Sequence, residues 1–379
     1  MAAKSSKGVV EAEPLPPLYA VWVGDLLGGP IPREAEATCG ECAMCASGEG
    51  THGRSELFFD PWSKCCTYTP ELVNYLVGRV LQGDETAGVR GRSTLEARLE
   101  TGVGVTPLGL GRSSAAGLLY GHVARLGTFG RAPSLRCPHF LEEEGGRCGI
   151  WGGRNAVCAT WFCKHVRGAA GRLFWRSLLS LLIEIERELA VWCVEQLDLG
   201  APALERLFPP PGMPSTAERL GRDGLDGPVD EEVRRALWGR WAGRERAFYG
   251  ECAQRVSVLS WADLTKICGP RVRVLVEPAR AAYASLRAHE LPGALRVGDF
   301  RVVGEGRRGP RIAGYSSMDP VELPRELVGA LHLFDGRSTA EALDAIAARA
   351  GLRLSRGLVR SLVDFAILVP AGGAPDRPR

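Results

Sequence analysis

Residues 136–165 read RCPHFLEEEGGRCGIWGGRNAVCATWFCKH. Four cysteines, Cys137, Cys148, Cys158 and Cys163, stand in this stretch among Pro138, Gly146, Gly149, Gly152 and Gly153. The run has neither the 3.6-residue apolar period of a helix nor the two-residue alternation of a strand. A thiol-rich loop with no apolar face needs another means of holding its shape. A metal bound by thiolates supplies one.

Upstream, TCGECAMC places Cys39, Cys42 and Cys45 two residues apart, a spacing that lets successive thiolates converge on one metal from a tight turn. The adjacent pair Cys65-Cys66 follows nineteen residues beyond Cys45. Neighbouring cysteines do not easily share one ion; they supply different metals, or one ligates while the other is buried. Nine of the twelve cysteines thus lie from Cys39 to Cys163. The other three, Cys193, Cys252 and Cys268, fall in apolar helical patterns and read as small buried hydrophobes.

The rest of the composition is ordinary. The chain has 379 residues, 45% hydrophobic and 24% charged, and a net charge of +3, so no charge excess points to nucleic acid or a membrane surface. The opening MAAKSSKGVVEAEPLPP lacks the apolar segment of a secretory signal. The longest apolar stretch, Phe174 to Leu197, is interrupted by Arg176, Glu184, Glu186, Arg187, Glu188 and Glu195, which excludes a membrane span. The expected location is the cytoplasm. Disulfides are rare there, so clustered cysteines indicate metal or redox chemistry.

The pattern predicts a mainly α fold with small β: a tail and lead-in over 1–36, a Cys-rich metal domain over 37–168, a helical middle over 169–293, a winged-helix-like module over 294–370 and a tail over 371–379. Helices are expected over Pro70–Gln82, Thr94–Leu99, Ser114–Leu126, Leu173–Leu197, Glu231–Val256 and Pro278–His289, with a loop over 213–227. In the C-terminal part, Leu295–Val303 and Arg311–Ser316 read as a hairpin. Helices follow over Pro324–Phe334, Ser338–Ala350 and Ser355–Phe365, the second with Ser338 and Glu341 as a capping box, and Ile367–Val369 closes as a strand.

The cysteine-rich segment resembles the YkgJ-type CxxCxxCC family, described as a zinc- or iron-chelating domain. Cys137-Pro138-His139-Phe140-Leu141 matches its Cys-Pro element, and Cys148-Gly149-Ile150-Trp151 its C-x-I-Y element with Trp for Tyr. Arg154 and Cys158 fall at its Arg and Cys positions. Cys65-Cys66, followed by Thr69-Pro70-Glu71-Leu72, is similar to its double cysteine and the helix after it. Two departures stand out: the compact CxxCxxCC is opened between Cys45 and Cys65, and Asn155 replaces the usual Pro while Cys163 is extra. Flagellin lysine methylases are a more distant likeness. The resemblance implies metal binding and leaves cluster number and ligand assignment open; the candidate ligands are Cys39, Cys42, Cys45, Cys65, Cys66, Cys137, Cys148, Cys158 and Cys163.

An all-thiolate set favours an iron–sulfur cluster or zinc. Nine thiolates are enough for two four-cysteine sites with one spare, and their spread over three segments inclines the reading to iron–sulfur, [4Fe–4S] in particular. Arg154, between two candidate ligands, would offset thiolate charge or donate to cluster sulfurs; a surface arginine is the plain alternative. His139 and His165 are candidate ligands or neighbours of ligands. Trp151, Trp161 and Phe162 would shield a cluster from water, or are simply core. Glu142-Glu143-Glu144 reads as a solvated loop. Gly102–Gly111 lacks the Lys-Ser/Thr of a phosphate loop, and no HExxH, GxSxG or CxxxCxxC is present.

At the C-terminus, Asp335-Gly336-Arg337-Ser338 with Glu341 resembles PqqD-like modules. The resemblance implies a peptide or protein partner bound by strand addition; a DNA-binding winged helix and a structural cap are the alternatives. Three readings follow: a metal-cluster protein accessory to redox or peptide or protein modification, an iron–sulfur enzyme acting on a peptide or protein, or a zinc-stabilised regulatory or scaffold protein.

Overall fold

The apolar period that begins at Leu173 builds the longest helix, Gly168–Gln196, and everything else is arranged around it. The structure, a computed structural model, describes residues 14–40, 42–45, 59–83, 86–143, 146–209, 226 and 229–372. It is mainly helical, 54% helix and 11% strand, with small sheets. The long helix buries Phe174, Trp175, Leu178, Leu181, Leu182, Ile185, Leu189 and Cys193. It starts five residues earlier than the apolar period implies. Gly168, its first residue, has φ +47°, and a Cβ there would stand 2.1 Å from the Asp364 carbonyl oxygen.

One apolar core gathers side chains from Leu15 to Leu286 and crosses residue 168 without a break. It takes in Tyr19 and Trp22 of the Pro17–Leu27 helix and Tyr75, Leu76 and Val77 of the Asn74–Gln82 helix. Cys193, Cys252 and Cys268 are within it and no more than 3% exposed, in line with the reading of them as hydrophobes. The Asn74–Gln82 helix lies almost in contact with the Glu245–Ser257 helix, because Gly78 has no side chain: a Cβ there would sit 1.9 Å from the Tyr249 carbonyl oxygen. A second core, Leu295 to Leu368, belongs to the C-terminal part alone.

Several expected elements are divided. Pro70–Gln82 opens as a two-residue strand, Leu72–Val73, paired with Gly109–Leu110, and becomes helical only at Asn74. The expected Glu231–Val256 helix is two, Glu231–Trp238 and Glu245–Ser257. They part at Gly239 and Gly243, both at positive φ, and a Cβ on Gly239 would meet the Leu199 carbonyl oxygen at 2.2 Å. The third helix extends further back than its pattern, over Gly269–Arg287, with Pro278 inside it. The stretch Leu295–Val303 is two strands of different sheets. Ala294–Val297 sits between Asp335–Ser338 and Leu368–Pro370, whereas Arg301–Glu305 pairs with Pro310–Ala313 as the hairpin. The Ser338 capping box is present, its hydroxyl accepting from the Glu341 N–H. Most of the expected loop 213–227 lies outside the described residues, as does Glu144.

Candidate metal centre

Three chain segments must meet if the nine cysteines act together, and backbone and lysine contacts bring them together. In the first, the Cys45 N–H donates to the Cys42 carbonyl at 3.0 Å, closing the turn that the two-residue spacing predicts. In the second, Lys64 adopts φ +49°, a left-handed conformation uncommon for a side chain of its size, one residue before Cys65. Its ammonium donates to the carbonyl of Cys39 and, at 3.2 Å, to that of Gly146. One buried lysine therefore ties the second segment to the first and the third.

The third segment is fastened directly: the Cys137 N–H donates to the Cys66 carbonyl at 2.8 Å. The hairpin Phe140–Leu141 with Arg147–Cys148 then folds Cys148 back opposite Phe140, and the Gly149 N–H donates to the His139 carbonyl at 2.8 Å. Asn155 takes on a defined duty: its side-chain oxygen accepts from the Cys158 N–H at 3.0 Å and caps the Ala156–Thr160 helix that carries Cys158.

Cys39, Cys42, Cys65, Cys66, Cys148 and Cys163 line one cavity of about 50 Å³, with Lys64, Phe140, Trp161 and Phe162 in its walls. Cys45, Cys137 and Cys158 are not among its lining residues; Cys45 and Cys137 are tied to it through backbone bonds to Cys42 and Cys66. Cys65 stands in that wall with cysteines of both other segments. The two halves of the constellation, Cys39–Cys66 and Cys137–Cys163, thus converge in space. All nine thiols are free. Among the described residues, no three His, Cys, Asp or Glu side chains already stand in a coordinating arrangement.

The environment favours the protonated form of seven of these sulfurs. Burial, reinforced by neighbouring thiols, pushes Cys45, Cys137 and Cys163 up to about 12. Burial raises Cys39, Cys148 and Cys158 also. Cys65 is raised first by its hydrogen bond with Cys66 and then by burial. Against them stand two buried cations, Lys64, 6% exposed, and Arg154, 8% exposed. The Arg154 guanidinium lies flat on the Trp151 ring, 3.3 Å from its centroid. Its Nη1 donates to the Cys158 carbonyl at 3.1 Å, while its Nε and Nη2 are buried without a protein partner.

His139 is fully engaged elsewhere. Arg98 Nη1 lies 3.0 Å from its Nε2 and Thr94 Oγ1 2.8 Å from its Nδ1. An arginine only donates, so Nε2 accepts and Nδ1 carries the proton. Thr94 passes its own proton to the Gly91 carbonyl at 2.8 Å. Burial, with Arg98 adding, pulls the imidazole down to about 3 and keeps it neutral. His165 turns to the C-terminal part: its N–H donates to Asp319 at 3.2 Å and its Nδ1 is 3.3 Å from the Tyr315 hydroxyl. Phe162 packs on Trp175 with ring centroids 4.6 Å apart, whereas Trp151 and Trp161 remain 40% and 46% exposed.

Lys64 is the residue that sequence reasoning passed over; its only sequence signal is a charge beside a cysteine pair. No protein-family model, curated protein or solved structure matches the chain. Among the described residues, no helix is long and apolar enough to cross a membrane.

Proposed function

We propose that the chain is a metal-cluster protein whose nine cysteines hold an iron–sulfur cluster, [4Fe–4S] by preference, or zinc. The observation that carries this is the convergence of three distant segments on one cavity, lined by Cys39, Cys42, Cys65, Cys66, Cys148 and Cys163 and fastened by Lys64 and by the Cys137 N–H on the Cys66 carbonyl. Small buried hydrophobes do not need two buried cations beside them. Arg154, buried with two nitrogens unpartnered, costs several kcal/mol to desolvate unless an anion accompanies it, and a metal that displaces thiol protons supplies anionic sulfur. The donor set fits a thiolate-bound metal on charge: a tetrathiolate centre of net charge about −2 answers two cations. The cavity of about 50 Å³ admits a single ion as it stands, and a four-iron cluster requires the lining thiols to swing outward.

The resemblance to the YkgJ-type family points the same way, and we read the protein as an accessory in redox or in peptide or protein modification. A partner peptide would dock on the C-terminal module. Its Arg301–Glu305 strand is a sheet edge, since its one neighbour is Pro310–Ala313, and all five of its residues are exposed, a form suited to strand addition. Anaerobic purification followed by metal and acid-labile sulfide analysis tests the metal reading. Brown protein with iron and sulfide is the expected result. Colourless protein with zinc and no sulfide replaces the cluster by a structural zinc site. Protein free of both, before and after reconstitution, overturns the reading.

A further inference from the structure

We propose that Arg154 is the hydrogen-bond donor built to face the metal-bound thiolates, so that it opposes the fold without metal and favours the fold with it. The inference rests on the metal reading above and deepens it. A guanidinium has five N–H donors in a fixed plane and does not lose its charge in proteins. In this structure one edge of that plane is used, by the Cys158 carbonyl at 3.1 Å. One face is covered by Trp151 at 3.3 Å. The remaining Nε and Nη2 protons have no protein acceptor although the residue is 8% exposed. Cys39, Cys66, Cys148 and Cys158, from all three segments, are the thiols whose charge would act on it once ionised.

A buried donor left unmatched is costly, and a buried cation more so. A site that retains both must recover the cost in some state of the molecule. Thiolate sulfurs on a metal are anionic acceptors; thiols are poor ones. Lys64 does not duplicate this function, because its ammonium is already given to the carbonyls of Cys39 and Gly146.

The test uses the full chain with Arg154→Met, which keeps bulk and length but removes charge and donors. Two measurements are made: thermal stability of the metal-free protein, and zinc affinity by competition with a chromophoric chelator. The expected result is opposite signs. Metal-free stability rises, while zinc affinity falls about 10- to 100-fold, the usual effect of removing a partner of metal ligands. After anaerobic reconstitution with ferrous iron and sulfide, the midpoint potential of Arg154→Met is expected to lie below that of the parent, since donors to sulfur stabilise the reduced cluster.

Arg154→Lys, which keeps the charge and loses the planar fork, serves as the second variant and is expected to fall between the two. Unchanged zinc affinity in both variants, with the parent binding metal normally, overturns the role of Arg154 and leaves the metal site standing. A parent that binds neither zinc nor iron overturns both.

Discussion

The cysteine chamber and the C-terminal module are stabilised in opposite ways. In the module, residues 295–368 bury Leu295, Ile312, Phe334, Ile346, Val359, Leu362 and Leu368 against one another. Its helices carry their own start signals, Ser338 and Ser355. In the chamber, regular structure shrinks to two-residue strands such as Phe140–Leu141, and the interior holds thiols and two cations. The first is a fold made by apolar burial, at about 25 cal/mol per Å². The second is a scaffold in which the buried Arg154 keeps two nitrogens without a protein partner, and on the proposed reading metal-bound thiolates would supply the missing acceptors. The difference teaches where dependence on a ligand should lie.

The largest expected effect breaks that contrast directly. Stripping metal with a strong chelator should leave amide protection over 295–368 intact while residues 59–66 and 146–163 exchange freely. Equal protection in both regions would show that the chamber needs no metal. Cys65→Ala, which removes a thiol of the cavity wall, should abolish metal loading altogether, whereas Cys252→Ala in the helical core should leave loading unchanged. Metal-to-protein ratios after reconstitution check both.

Next in size is the link between the regions. The Arg167 guanidinium grips Asp364 with two bonds, at 2.6 and 3.1 Å, and Arg360 donates to the same carboxylate at 2.9 Å. Asp364→Ala strands two partly buried cations and should cost about 3 kcal/mol, read as a fall in the denaturation midpoint. If the module unfolds separately in that variant, the grip is what makes the two regions cooperate. A single unchanged transition would show that it does not.

A third effect, pH-dependent, belongs to the core beneath the chamber. Glu186 accepts from the Ala156 N–H at 2.6 Å and from the Tyr19 hydroxyl. Burial pushes its carboxyl up to about 7 from 4.5. The folded chain then holds a proton that the unfolded chain releases between these values, so this group's contribution to stability falls as pH rises from about 4.5 to 7. The total loss is about 3 kcal/mol above pH 7, at 1.36 kcal/mol per unit. His139, pulled down to about 3, acts in the opposite sense below pH 6.5, so the difference between Glu186→Gln and the parent is what isolates Glu186. That difference should grow from pH 5 to pH 8 in favour of the variant; a flat difference sinks the assignment.

Legibility in the sequence follows the same division. The module's capping box, its last two helices and its closing strand were readable because each is specified by residues within four or five positions. The long helix was readable from its apolar period. Its start at Gly168 was not, because that start depends on the Asp364 carbonyl 196 positions away. The single helix expected over 231–256 ignored Gly239 and Gly243, whose positive φ values are set by packing on Leu199 and by the turn itself. In the chamber, the cysteines were legible as a group from composition, and their convergence was not, since it depends on Lys64 bridging Cys39 and Gly146. His139 and His165 looked alike beside the cysteines. Only their partners, Thr94 and Arg98 for one and Tyr315 and Asp319 for the other, separate them.

The smallest prediction sharpens the comparison because it should be confined to one side. Ser338 accepts from the Glu341 N–H at 3.2 Å, and the Glu341 carboxylate accepts in return from the Ser338 N–H at 3.1 Å. This box closes the first turn of the Thr339–Ala350 helix using residues of that helix alone. Ser338→Ala removes the hydroxyl and leaves the Glu341 amide proton to water, at a cost of about 1 kcal/mol. Because the module is held by its own burial, the loss should appear as faster amide exchange within 295–368 and as no change in metal content. A drop in metal loading from so local a change would mean that the chamber takes part of its stability from the module, and that the two regions are less independent than their separate cores imply.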